Sequence, residues 1–212
     1  MRPEHRDQIK ALHEAGHSAV ALEFGMLGDE GTSICEDDEG VGWTSISWPP
    51  SERRNAEWVS QRAAVAMAGV AADLERRQES PQWPQCLDTD GRINWYMVCC
   101  RCEDLRPDIQ KARRLHILSL DADRLLRIVD QYSSGNADAT EDKALDFLFS
   151  QREQNLLYER LPHEIVEAYF TCATNVLSQP HAKRFVEEAS RRLLQQRKLS
   201  GSECQRLWKE AA

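Results

Sequence analysis

The sequence lacks several features that would place the protein in a membrane, outside the cell or on nucleic acid. No apolar run approaches the roughly 20 residues of a membrane-spanning helix, and the start, MRPEHRDQIK, has no apolar signal-peptide core. Lys and Arg total 27 against 35 Asp and Glu, for a net charge of −8, and they are scattered rather than gathered into a basic stripe. We therefore expect a cytoplasmic protein with no membrane and no nucleic-acid partner.

The two separate cysteine pairs that a structural zinc site needs are also missing. The chain has seven cysteines, an odd number, and its only CxxC spacing lies within residues 99–102. Three of them cluster as CCRC, at Cys99, Cys100 and Cys102. Without an export signal, we expect reduced thiols in a reducing compartment.

The hydrophobic pattern predicts a mainly α fold with a small β-hairpin or sheet, in the α+β class. Helical periodicity covers 4–25, 52–79 and a stretch from about Pro107 to beyond Val129. Runs rich in β-branched and aromatic residues predict strands at 32–35 and 43–48, joined by an acidic turn that contains glycine.

The remaining segments complete a single predicted domain over 1–212. Residues 80–106 look irregular, and SSGNADAT at 133–140 is typical of a linker-like loop. Helices interrupted near Pro162 and Pro180 are expected over 141–212. The HEAGH motif and most of the candidate functional residues fall in the first part, 1–130, which we interpret as the core that holds the site.

Residues 13–17 read HEAGH, on a convincing amphipathic helix. Residues four apart share one face of a helix, so His13 and His17 can point at one metal ion. Glu14 lies about 100° around the helix, where it can act as the general base on a zinc-activated water. Gly16 costs the helix roughly 1 kcal/mol relative to Ala, which suggests that another element packs closely there.

A catalytic zinc ion needs a third protein ligand, and the residues alone leave its identity open. Asp104 and Asp108 are good physical choices, because a carboxylate at the start of a helix is held by the first-turn amides. Asp73 or Glu75 is also predicted to support the site by accepting a hydrogen bond from a ligand histidine. The other candidates for the third ligand by residue type are His116, His163 and His181, together with Asp73 and Glu75 themselves.

The second helix contains AAVAMAGVAADL, a run of small apolar residues. Such a surface lets another helix approach closely. We expect this helix to form the buried centre of the domain.

Several segments, in order, resemble the zinc-peptidase domain of FtsH, the ATP-dependent membrane protease. ALHEAGHSAVALEFG resembles its motif helix, and TSICEDDEGVGWTSISWP resembles the strand pair that follows. AVAMAGVAADLE resembles its Ala-Ala-Glu helix, and EAYFTCATNVLSQPHAKRFVEEASRRLLQQRKLSGSE resembles its closing helices. DIQKARRL resembles the segment in which an aspartate opens a helix and serves as the third zinc ligand. The resemblance implies one Zn²⁺ per chain held by His13, His17 and Asp108, with Asp104 as the alternative.

The sequence also departs from the FtsH pattern. It contains no GxxxxGK[ST] nucleotide-binding loop, and the stretch from the motif to Asp108 is longer than is usual in the family. The resemblance implies an ATP-independent zinc metallopeptidase that cuts unfolded or flexible polypeptides. The second strand of the predicted hairpin, with Trp43, Thr44 and Ser45, could pair with an extended substrate. It could equally be an edge strand that only shields the sheet from solvent. Self-association is a further expectation, although the ATPase modules contribute to the FtsH ring.

Two other functions remain open at this point. A non-catalytic zinc-binding scaffold or adaptor could keep the same fold, although such a protein has no need of Glu14. The metal could also serve the hydrolysis of a different amide.

Overall fold

The computed structural model describes residues 3–35, 42–47, 55–78, 83–119 and 163–212. The α-helices are α1 (Pro3–Glu23), α2 (Ala56–Gln78), α3 (Trp95–Arg101), α4 (Arg106–Ser119), α5 (His163–Leu177), α6 (Pro180–Gln196) and α7 (Gly201–Ala211). The strands are β1 (Leu27–Ser33), β2 (Trp43–Ile46) and β3 (Lys198–Leu199). The predicted class is confirmed: the described chain is mainly helical with one small antiparallel sheet.

The sheet has the strand order β2-β1-β3, and both pairings are antiparallel. In the β1–β2 pair, Thr32 lies opposite Thr44 and Ser33 lies opposite Trp43. Only β1 pairs with β2 among the described residues, so β2 is an edge strand there. Its position beside α1 brings the edge of the sheet to the HEAGH helix.

The predicted bounds of the first strand were wrong, and the third strand was missed. β1 begins at Leu27 rather than at residue 32, because Leu27 already pairs with Ile46. The register shifts between Leu27 and Thr32, and the polar residues of this stretch have low strand propensity, so the sequence pattern did not indicate a strand there. Gly31 has a φ of 76°, and the β3 backbone packs against the place where a side chain would stand. β3 is only two residues long, too short for an alternating pattern in the sequence.

The expectation of an irregular segment over 80–106 was also wrong for its described part. It contains two 3₁₀ turns, Trp83–Cys86 and Glu103–Leu105, and the helix α3. Asn94 caps α3 by accepting a hydrogen bond from the Met97 amide, and Trp95 is fully buried. Short capped helices of this kind give no periodic signal in the sequence.

The later helices follow the prediction in part. The third predicted helix is α4, described as far as Ser119, and its expected continuation lies outside the described residues, as does 133–140. α6 begins at Pro180 as predicted. A further interruption at Arg197, whose φ is 68°, separates α6 from β3 and was not predicted.

The core forms where α1 crosses α2. Residues 62–70 of α2 are all buried, as the run of small residues predicted. A side chain at Gly16 would run into Ala72 and would come within 2.7 Å of the Ala68 carbonyl oxygen, so the close packing expected at Gly16 is confirmed. None of the described helices combines the length and apolarity required to cross a bilayer.

Candidate metal centre

His13, His17 and Asp108 come together from two helices that are far apart in the sequence. The two histidines stand one turn apart on α1, and Asp108 lies in the first turn of α4. The His13 Nε2 atom is 2.9 Å from Asp108 Oδ2, and the His17 Nε2 atom is 3.6 Å from Asp108 Oδ1. One potential ligand atom from each residue lies within 4.8 Å of the others.

The hydrogen bonds of the Nδ1 atoms assign the tautomers of both histidines. His17 Nδ1 lies 2.7 Å from the Val65 carbonyl oxygen, which can only accept a hydrogen bond. His13 Nδ1 lies 3.1 Å from Asp73 Oδ2. Both Nδ1 atoms therefore carry hydrogen, and in neutral rings both Nε2 atoms present bare lone pairs.

These two Nε2 atoms are only 3.1 Å apart. Bare lone pairs at this distance repel each other unless a proton or a cation lies between them. Two nitrogens each about 2.0 Å from one tetrahedral zinc ion would lie about 3.3 Å apart. Two imidazoles and a carboxylate are also ligands that zinc accepts, so the residues present fit a zinc ion.

One face of α2 forms the floor of this site. Val65, Gly69, Asp73 and Arg77 follow one another at intervals of four residues and so lie along the same side of the helix. Val65 and Asp73 hold the two imidazoles, as described above. A Cβ atom at Gly69 would lie 2.5 Å from the Nε2 atom of each histidine, so glycine leaves the space that the rings occupy.

Asp73 is fully buried and needs a cationic partner. Arg77 is this partner and forms a bidentate ion pair, with Nε 2.7 Å from Oδ1 and an Nη atom 2.6 Å from Oδ2. The other Nη atom of Arg77 is 2.8 Å from Asp104, whose side chain is 64% exposed. Burial alone would lower the pKa of Arg77, but Asp73 and Asp104 outweigh it and raise that pKa further.

Burial and mutual charge shift the pKa values of the three potential ligands in different directions. Burial lowers the pKa of His17 to about 4. Burial also disfavours charge on His13, but Asp108 and Asp73 outweigh it and raise the pKa of His13 well above its usual value. Burial would raise the pKa of Asp108, and the two histidines lower it instead.

Glu14 is buried next to the histidine pair, with 4% of its surface exposed. Burial raises the pKa of Glu14 to about 7, and His13 and a hydrogen bond from Thr44 offset part of the rise. The Thr44 hydroxyl lies 2.8 Å from Glu14 Oε2. Glu14 is not among the three residues whose donor atoms converge, so its carboxylate is available for proton transfer.

The structure separates three of the other candidate ligands from this cluster. Asp104 faces Arg77 rather than the histidines. His116 contacts the Tyr169 hydroxyl at 2.8 Å, and His181 packs edge-on against Trp208. The side chains of Glu75 and His163 lie outside the described part of the chain.

The three residues of β2 expected to contact substrate face different ways. Thr44 contacts Glu14, whereas Ser45 packs against Gly28 and the Trp43 ring lies 4.8 Å from the Lys198 ammonium. Sequence reasoning did not anticipate the roles of Val65, Gly69 and Arg77. The interval of four residues along α2 was the available signal, but it is meaningful only once α1 is known to cross that face.

Comparison with known proteins adds no assignment. No protein-family model matches the chain, and no curated protein matches its sequence.

Proposed function

We propose that this chain is a zinc metalloendopeptidase of the FtsH-peptidase type, which hydrolyses unfolded or flexible polypeptides without ATP. The main support is the convergence of His13, His17 and Asp108, with Glu14 as the next residue along α1 from His13. Three protein ligands and a neighbouring carboxylate that is not a ligand are typical of catalytic zinc rather than structural zinc.

Each residue of the site would have a separate role in the hydrolysis. His13, His17 and Asp108 would hold the ion, which supplies Lewis acidity by polarising a carbonyl and lowering the pKa of a coordinated water. Glu14 accepts a proton from the attacking water and passes it to the leaving amine. Asp73 and the Val65 carbonyl keep both imidazoles in the tautomer that leaves Nε2 free.

The edge strand β2 supports an extended polypeptide as the substrate. Its far edge has no partner strand among the described residues, and an extended chain can add to such an edge through backbone hydrogen bonds. The strand passes directly beside Glu14, because Thr44 within it contacts that carboxylate. Backbone that is already hydrogen-bonded within a folded protein cannot add to the edge in this way.

Glu14→Gln separates an enzyme from a scaffold. Glutamine keeps the size of the side chain but cannot accept the proton, so cleavage of casein should fall by about 10²- to 10⁴-fold. The bound zinc should remain stoichiometric by metal analysis. The rate is measured by gel densitometry, with a chelator as the second inactivating condition.

The matched control is Glu23→Gln, at the far end of the same helix, which should cleave casein like the wild type. If the zinc-loaded wild type cleaves no unfolded substrate, the scaffold or adaptor is the better function. If Glu14→Gln retains the wild-type rate, Glu14 is not the general base.

A second measurement addresses the ligand set. Asp108→Ala removes a converging carboxylate and should lose zinc, whereas Asp104→Ala removes an exposed partner of Arg77 and should keep one zinc per chain. Metal analysis after gel filtration reads out both variants. Zinc retained in Asp108→Ala and lost in Asp104→Ala would show that the wrong aspartate had been assigned.

A further inference from the structure

The Thr44 side chain points at the carboxylate of Glu14 rather than at the place where a substrate would lie along β2. Its Oγ1 atom is 2.8 Å from Glu14 Oε2 and 3.3 Å from the Glu14 carbonyl oxygen. The hydroxyl carries one proton, and a carboxylate is the stronger acceptor of the two. The proton therefore goes to Oε2, which ties the end of the Glu14 side chain to the sheet.

The Thr44 hydroxyl itself contacts a second hydroxyl, that of Thr32. Thr32 on β1 is fully buried, and its Oγ1 atom is 2.9 Å from that of Thr44. The two residues lie directly opposite each other in the β1–β2 pair, so the backbone ladder sets their separation. Since Thr44 gives its proton to Glu14, its lone pairs are free to accept from Thr32. The other acceptor near the Thr32 hydroxyl, the Trp43 carbonyl oxygen, is more distant, at 3.3 Å.

Gly42 limits the other side of the same carboxylate. A Cβ atom at this position would lie 2.8 Å from Glu14 Oε1 and 3.0 Å from Glu14 Cγ. The backbone just before β2 thus limits the space around Oε1, and Thr44 donates a hydrogen bond to Oε2. A glutamate has three side-chain torsions, and these contacts select one arrangement of them beside the histidine pair.

We infer that Thr44, backed by Thr32, is a positioning residue that holds the general base Glu14 in its working orientation. This inference rests on the proposed peptidase function. The inference changes the expected role of Thr44, because Thr44 then affects turnover through Glu14 and contributes little to substrate binding. Misplacing a catalytic group by about 1 Å can cost 10²-fold in rate, so one hydroxyl is enough to matter.

Thr44→Val tests the inference, because valine has nearly the same shape and lacks the hydroxyl. With zinc content unchanged, kcat for an unstructured fluorogenic peptide should fall by about 10- to 100-fold while KM stays near its wild-type value. Thr44→Ser restores a hydroxyl and should recover most of the lost kcat. Thr174→Val, which removes a hydroxyl bonded to the Phe170 carbonyl on α5, is the matched control and should behave as the wild type.

Three kinetic results would overturn the inference. They are an unchanged kcat in Thr44→Val, a rise in KM without a fall in kcat, and no recovery in Thr44→Ser. Substitution in the Glu14→Gln background adds a fourth criterion, because the effects of substituting two residues that act together do not add. Thr44→Val should cause no further loss there, and a second loss of the same factor would contradict action through Glu14.

Binding of acetohydroxamic acid to the zinc-loaded protein distinguishes this inference from the proposed function. A hydroxamate chelates zinc and shares a proton with a neighbouring carboxylate, so its affinity reports the placement of Glu14 without turnover. Glu14→Gln and Thr44→Val should weaken binding by similar factors in calorimetry, and Thr44→Ser should restore it. If the wild type binds the hydroxamate but cleaves nothing, the peptidase assignment fails, and the affinity of Thr44→Val alone decides whether Thr44 positions the Glu14 carboxylate. Unchanged affinity in Thr44→Val overturns the positioning, whatever the activity.

Discussion

At the scale of single residues, the candidate site depends on a missing side chain as much as on its charged groups. Gly69 lies under the two imidazoles, where a Cβ atom would approach both Nε2 atoms to 2.5 Å. A glycine within a helix costs roughly 1 kcal/mol relative to alanine. This cost is offset if the open space lets two histidines direct their lone pairs at one ion.

Gly69→Ala should therefore weaken zinc binding while the protein stays folded. The added methyl meets the far ends of two side chains, which can swing away, so the imidazoles lose their convergence. We expect the zinc affinity to fall by at least about 10- to 100-fold, the range for disturbed support of metal ligands. Competition with a chromophoric chelator measures the affinity, and circular dichroism checks the fold.

Gly16→Ala is the contrasting variant. Its methyl would meet Ala72 and the Ala68 backbone, which cannot move aside, so it should lower the melting temperature. Wild-type zinc affinity in Gly69→Ala would show that the space above Gly69 is not needed for the metal.

At the scale of elements, α2 is the support on which α1 and α4 meet. Its face carries a carbonyl for His17, a space for both rings, a carboxylate for His13 and the cation that neutralises that carboxylate. Arg77 extends this support to Asp104, in the 3₁₀ turn just before α4. The face of one helix thus links both segments that supply the potential ligands.

Arg77→Met should destabilise the protein strongly, because it leaves the buried charge of Asp73 without its cation. Removing one partner of a buried ion pair typically lowers the free energy of unfolding by about 3–5 kcal/mol. Asp104→Asn removes only a largely exposed partner and should cost no more than about 1 kcal/mol. Urea unfolding monitored by tryptophan fluorescence measures both.

The double variant Asp73→Asn/Arg77→Met removes the buried charge together with its partner. It should recover much of the stability lost in Arg77→Met. If Arg77→Met alone is as stable as Asp104→Asn, Arg77 does not carry the charge of Asp73.

At the scale of the whole molecule, the candidate site joins the two ends of the described N-terminal part. His13 and Asp108 are 95 positions apart in the sequence, yet their side chains are 2.9 Å apart. A metal ion held there would bind the folded chain and find no such site in the unfolded one. Its binding would therefore stabilise the fold by mass action.

Zinc should accordingly raise the melting temperature, and a chelator should reverse the rise. Free zinc at 100 times its dissociation constant contributes about 2.7 kcal/mol, which corresponds to about 5–10 °C for a chain of this size. Scanning calorimetry with and without zinc measures the shift. Asp108→Ala should show little shift, and an equal shift in that variant would place the ion elsewhere.

Local spacing in the sequence determined the parts of the site that lie within one helix. His13, Glu14 and His17 owe their arrangement to helical periodicity, and the small residues of α2 predicted its burial. The mainly helical class with a small sheet also followed from pattern, because periodicity and β-branched runs are local properties of the chain.

Only the tertiary structure decided what depends on contacts between distant segments. Asp104 and Asp108 are equally good helix-start carboxylates in sequence, and the packing of α4 against α2 brings one to the histidines and the other to Arg77. The roles of Thr44 and Gly69 arise from the sheet and α2 approaching α1, and no local pattern encodes that approach. β3 exists only because β1 offers it an edge, since two residues have no strand periodicity of their own.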